Sequence, residues 1–344
     1  MRLGLLLGYA GKKIELPMDI VKQADELGFD SVWVAEAYGS DAVSVSSWIL
    51  AQTKNIKVGT AIMQVPARTP ANTAMSAMSL HQLSGGRFIL GLGASGPQVV
   101  EGWHGLPYSK PLTRVRECIE IVREVMARKG PVTYEGEHYQ MPYKGEGSTG
   151  LGKPLKSILQ AETDIPIYTA SFTPGGFRLS GELADGFFPA FLSPDKLDFI
   201  LPELEKGFAK AGNGKSFKDF DIAPFVHVHM GDDMEECRQS TRQMLALYVG
   251  GMGSRKKNFY NDVAIQMGYA DAAKKIQDLY LDGKKEEAAA AVPDEFIDEI
   301  SLLGTEAQIR ERAEAWKAKG DYIKTMICAV RQPEAALLLK DIFG

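Results

Sequence analysis

Cysteine is scarce in this chain. The three present, Cys118, Cys237 and Cys328, stand far apart in 344 residues with no C-x-x-C pair, which excludes a disulfide framework and a cysteine zinc site and points to a reducing cytoplasm. An excess of positive charge is also missing. Lys and Arg total 39 against 44 Asp and Glu, a net charge of -5, so nothing in the composition attracts nucleic acid or an anionic membrane, and any bound anion must be met by local charge. No run approaches the ~20 apolar residues needed to cross a bilayer. The N-terminal MRLGLLLGYAGKK has only a short apolar run ending at Tyr9 and no evident export signal, so a soluble protein is expected.

What the chain does have is 45% hydrophobic residues against 24% charged, enough for a substantial core and unlike the composition of disorder. Short apolar runs alternate with longer amphipathic ones, the pattern of an α/β fold. Strands are predicted at about 3–8, 31–35, 56–63, 86–92, 165–170, 186–190, 222–229 and 322–328. Eight strands with intervening helices predict a (β/α)8 TIM barrel. Helix signals fit the spacing: Gly28 stops a helix at about 17–28, Val115, Ile119, Val122 and Met126 form one stripe, and Thr305 with Gln308 makes a capping box ahead of Ile309, Ala313 and Trp316. Two segments exceed a minimal barrel. Residues 130–160 read as a hairpin plus a Gly-rich loop, and 250–300 as inserted helices carrying Arg255, Lys256 and Lys257. Neither resembles a free linker, so residues 1–344 are taken as a single barrel domain with two insertions near its C-terminal mouth.

Gly91-Leu-Gly93-Ala-Ser-Gly96 has the spacing of a dinucleotide fingerprint and follows a strand. The next clear helix begins only near Thr113, so these glycines do not open a helix that would hold a pyrophosphate. In a barrel they lie at the end of the fourth strand, where they let a flat ligand approach the backbone or simply make a tight turn. His227-Val-His229 puts two imidazoles on one strand face, a spacing metal sites use. With five histidines in all and no further ligands evident, packing or substrate contact is favoured and no metal is assigned. Glu36 follows Val32-Trp33-Val34 at a strand's C-terminal end, where a carboxylate either reaches a ligand or holds neighbouring loops. Thr173-Pro-Gly-Gly-Phe-Arg178 opens a helix with free amides and an Arg in its first turn, which suits a phosphate.

Asp30-Ser-Val-Trp-Val-Ala-Glu36, Gly59-Thr-Ala-Ile62 with Pro70, Gly85-Gly-Arg-Phe-Ile-Leu-Gly-Leu-Gly93 and Ala184-Asp-Gly-Phe187 occur in one order. Together they resemble the luciferase-like monooxygenase superfamily, and more closely its branch of oxidoreductases dependent on the deazaflavin coenzyme F420. The resemblance implies a (β/α)8 barrel, a cofactor at its mouth and frequently a homodimer. It places Glu36 beside the deazaflavin ring, a cis peptide between Ala61 and Ile62 behind the ring with Gln64 just after, Ala94 and Ser95 against the cofactor, and Ser171, Thr173, Gly175, Gly176 and Arg178 around its tail and phosphate. Related sugar-phosphate dehydrogenases have a His after the acid. Here Ala37 and Tyr38 follow, so a glucose-6-phosphate activity is not expected and Tyr38, Asp41 and His104 are the candidate proton donors beside Glu36. The implied chemistry is hydride transfer between the deazaflavin C5 and a small, partly apolar substrate. Arg68, Lys110, Arg178 and residues 255–257 are expected to form a basic rim for the anionic tail. An FMN-dependent luciferase-like monooxygenase and a non-catalytic cofactor-binding barrel are the alternatives. A barrel lyase or aldolase would need a Schiff-base lysine or a metal set, and no strand-end lysine stands out.

Overall fold

The computed structural model describes residues 1–9, 11–161 and 164–344. All eight expected strands are present and parallel: Arg2–Leu6, Ser31–Val34, Lys57–Thr60, Phe88–Gly93, Ile167–Ala170, Gly186–Phe188, a seventh in two pieces (Asp221–Ile222 and Phe225–Met230), and Thr325–Ala329. Neighbours in sequence pair in order, and the eighth strand pairs with the first, Leu3 opposite Met326. The ring closes through the broken seventh strand. Its first piece pairs with the sixth (Asp221 opposite Gly186) and its second with the eighth (Phe225 opposite Ile327). The break falls at Pro224, which has no N–H for a ladder, although its carbonyl still accepts from Ile327 N at 2.9 Å.

The strands read as unbroken apolar runs because both of their faces are covered. Ser31–Val34 and Phe88–Gly93 are buried at every position. Outside the ring, Leu3, Leu5, Val32, Val58 and Leu90 pack against helices, including Pro111–Ala127, whose Val115, Ile119 and Val122 are buried as the stripe predicts. Inside, Trp33, Tyr168, Phe188 and Ile327 fill the lumen, with Leu6, Ala61, Ile62, Ala170 and Phe225 packed against them. At the N-terminal end of the strands Asp221 accepts from Arg2, Tyr168 and Thr325, which closes that end with side chains.

Four features depart from the sequence expectations. A ninth strand, Ser301–Gly304, lies along the mouth end of the seventh (His227 opposite Ser301, Met230 opposite Gly304); four residues wedged between helices give too short a pattern to read. A six-residue helix, Pro97–Gly102, follows Gly96 directly, where a loop was expected before the helix that starts at Pro111. In the second insertion Arg255, Lys256 and Lys257 stand between helices rather than on them, because the helix Met234–Leu245 runs on as a π-helix, Ala246–Gly251, and the chain resumes only at Phe259–Gln266. The basic rim, Lys256 apart, is neutralised as well. Arg68 pairs with Glu36, Lys110 with Glu137, Arg178 with Glu203, Arg255 with Asp278 and Asp282, and Lys257 with Asp262.

Both insertions are anchored. In the first, Tyr134–Glu135 and Gln140–Met141 pair as an antiparallel hairpin. The buried Glu117 on the helix beneath it accepts from the amides of Glu137, His138 and Tyr139 at 2.7 to 3.1 Å. The second has a buried cluster of its own around Val249, Val263, Ile276 and Phe296. Arg238 and Arg242 clamp its base through Asp294 and Asp298. No helix among the described residues is long and apolar enough to cross a membrane.

Candidate active site

The mouth is built from consecutive strand ends. Glu36, just past the second strand, is buried, with both carboxylate oxygens engaged: Oε1 accepts from Ala42 N at 2.9 Å and Arg68 Nη2 at 2.6 Å, Oε2 from Gln64 N at 2.8 Å and Arg68 Nη1 at 3.0 Å. This fork of two parallel bonds is the strong form of a carboxylate–guanidinium pair. Burial alone would lower the Arg68 pKa, but the hydrogen bonds and charge of Glu36, with Asp41, hold it above its ordinary value. Glu36 thus ties the segment after the second strand to that after the third.

Gln64 extends the arrangement. Its amide donates to Ala37 O at 2.5 Å and its Oε1 stands 3.3 Å from His104 Nε2, so in this amide orientation His104 carries its proton on Nε2. His104 follows the short helix Pro97–Gly102, and that extra turn brings it back over the third strand's end. Tyr38 is 66% exposed and makes no hydrogen bond to Glu36, Gln64 or His104 among the described residues. Asp41 caps the helix Ala42–Gln52 by accepting from Ser44 N at 2.9 Å. Burial would raise its pKa, but the Ser44 amide and Arg68 lower it below the usual carboxylate value, which keeps it ionised and unsuited to donate a proton.

The Ala61–Ile62 peptide is cis. Beside it the fourth strand's glycines take a different part from the one expected: a Cβ at Gly91 would run into Thr60 O, and one at Gly93 would lie 2.9 Å from Ile62 Cγ1. Their bare faces admit the neighbouring 60–62 segment rather than a ligand. Ala94 and Ser95 follow at the mouth, Ser95 in a left-handed conformation with φ 61°, uncommon for a residue with a Cβ. At the fifth strand's end, Thr173 caps the helix Pro174–Leu183 by accepting from Gly176 N at 3.2 Å. Any Cβ at Gly176 would occupy the position of Ser171 Oγ. Two hydroxyls therefore converge on this helix N-terminus, while Arg178 turns aside to Glu203.

The structure adds residues that the sequence reading missed. Tyr248, on the π-helix, packs edge-on against Tyr260 at 4.7 Å, and Tyr260 lies 4.6 Å from Phe172, just past the fifth strand. Burial, then the hydroxyls of Tyr9 and Tyr260, hold the Tyr248 phenol above its ordinary value, so it stands over the mouth as a neutral O–H. Gly250 and Gly251, which press on Tyr280, were the available signal that this turn packs closely. No group of three or more His, Cys, Asp or Glu among the described residues is placed to hold a metal ion.

A family profile of luciferase-like monooxygenases matches residues 3–322. The chain belongs to this family. It is accordingly an oxidoreductase. It is 44% identical, over 93% of both chains, to a Mycobacterium tuberculosis protein assigned by name as a coenzyme F420-dependent oxidoreductase. It is 30% identical to the 5,10-methylenetetrahydromethanopterin reductase of Archaeoglobus fulgidus over 85% of this chain and 83% of that one. Among solved structures, the F420-dependent tetrahydromethanopterin reductase of Methanopyrus kandleri superimposes with a TM-score of 0.80 at 22% identity, covering 98% of this chain and 97% of that one.

Proposed function

We propose that this chain is an F420-dependent oxidoreductase that moves a hydride between the deazaflavin and a small organic substrate. The observation that carries the reading is the 44% identity, end to end, with a relative assigned as F420-dependent. The site fits such a cofactor: an apolar floor at Ala61 and Ile62 lies beside a helix N-terminus that offers the hydroxyls of Ser171 and Thr173 and the amide of Gly175, suited to a phosphate. Bound there, the deazaflavin would supply or accept the hydride, which is its own chemistry.

The chain's part is position and a proton. Ala61, Ile62, Ala94 and Ser95 seat the ring, and residues 171–176 hold the tail, with Arg178 and its partner Glu203 at the edge. Glu36 keeps Arg68 and Gln64 in place, and Gln64 aims His104. His104 is the preferred proton donor, because Gln64 holds its ring at the mouth; Tyr38, exposed at the rim, contacts substrate. We read the chain as one barrel domain acting as a homodimer in the cytoplasm, in keeping with its three buried free thiols. FMN is the less favoured cofactor, since the relatives are F420-dependent by name. Fluorescence titration of purified protein tests the reading. Saturable F420 binding with no tight FMN binding is expected, and tight FMN binding without F420 affinity overturns it.

A further inference from the structure

The third-to-fifth strand ends account for the cofactor, but the polar groups on the opposite wall are still without a role. Phe225 and Ile327 face the lumen, so by the two-residue period of a strand His227, His229 and Ala329 face the same way, toward the mouth. His227 pairs with Ser301 on one side and Ala329 on the other. Ser301 Oγ is buried, with no hydrogen-bond partner among the described residues. Two residues beyond Ala329 stands Arg331. Its backbone is fixed, because the next side chain, Gln332, bonds both the N–H and the carbonyl of Met230 at 2.8 and 2.9 Å. Whereas Arg68, Lys110, Arg178, Arg255 and Lys257 all have carboxylate partners, Arg331 has none among the described residues. Lys12, Lys13 and Lys256 lack one too, but they stand on exposed loops with no such anchor. Glu334, in the first turn of the helix Pro333–Phe343, forms no ion pair with Arg331.

We propose that the mouth ends of the seventh and eighth strands form a second anion site, in which Arg331 pairs with a carboxylate or phosphate while His227, His229 and Ser301 donate hydrogen bonds to it. The proposal rests on the barrel mouth being the active site. Burial, and after it the charge of Arg331, bring His227 down to about 4. The ring is therefore neutral near neutral pH, with one N–H to donate, and the bond to Arg331 is where an anion gains most. The anionic group is either the substrate's own or part of the cofactor tail.

Imidazole NMR near neutral pH tests this with inorganic phosphate as the probe, reading His81 and His138 as internal controls. Phosphate is expected to shift His227 and His229 saturably, with affinity about tenfold weaker in Arg331→Ala and retained in Arg331→Lys. Repeating the titration on F420-saturated protein separates the sources: shifts that persist assign the site to the substrate, and shifts that F420 abolishes assign it to the tail. No saturable shift of these two rings, or equal phosphate affinity in Arg331→Ala, overturns the proposal. Failure of F420 to bind the unsubstituted protein would instead overturn the functional reading.

Discussion

At the scale of single residues, Glu36 holds the mouth together. All its acceptor capacity is spent on Ala42 N, Gln64 N and Arg68, so Glu36→Gln leaves a mostly buried guanidinium short of a partner. Breaking such a pair is expected to lower stability by about 3 kcal/mol, read by denaturant unfolding. F420 affinity should fall because Gln64 loses its anchor, while the pH profile of turnover keeps both limbs. Loss of one limb with affinity unchanged would make Glu36 the acid or base. His227 gives a pH prediction. Its folded pKa of about 4 lies below the ordinary 6.5, so as pH falls through the higher value the unfolded chain takes up a proton that the native ring refuses. Its contribution to stability is full above pH 6.5 and lost progressively toward pH 4. His227→Asn should flatten that part of the stability curve relative to the unsubstituted protein, and parallel curves would show that the ring titrates normally.

At the scale of elements, the helix Pro174–Leu183 depends on how closely Ser171 approaches its first turn. Thr173→Ala removes the cap and should cost about 1 kcal/mol. Gly176→Ala should cost more, because its Cβ falls where Ser171 Oγ stands, and it should weaken F420 binding further. Thermal unfolding and cofactor titration give the order, and equal effects would mean that the hydroxyl pair does not matter. The second insertion is clamped by Arg238 and Arg242 at its base and packed through Tyr260 onto Phe172. If it covers the site, cofactor should slow hydrogen exchange most in residues 252–258 and little in the buried helix Phe259–Gln266. Exchange that F420 leaves unchanged would make the insertion purely structural.

At the scale of the whole molecule, some large apolar side chains stand in solvent. Leu83 and Ile158 are 86% and 97% exposed, and Gln82 Nε2 joins the segment behind Ile158 to the helix Pro70–Leu83 by donating to Gln160 O. An apolar surface large enough to matter would serve as an interface. If the proposed homodimer uses these side chains, Leu83→Asp should convert it into a monomer in sedimentation. A monomer before substitution would remove the assignment.

Much of this was legible from the sequence because it follows from local pattern. Unbroken apolar strands, the stop at Gly28 and the capping box at Thr305 are set within a few residues and came out as read. Glu36 and Thr173 could be named because they stand just past strands, and a strand's end fixes where the next residues stand; Gln64 was named through the family resemblance. What the chain does with them is decided by tertiary contacts. Whether Glu36 faces a ligand or saturates itself depends on Arg68, 32 positions away; whether a basic rim exists depends on carboxylates brought from other elements. The ninth strand is four residues long, too short to have a period of its own, and exists only because the seventh strand leaves an edge unpaired at the mouth. Sequence specifies the elements through their periodicity. Which polar group meets which is settled only when the ring closes and sets distant residues side by side.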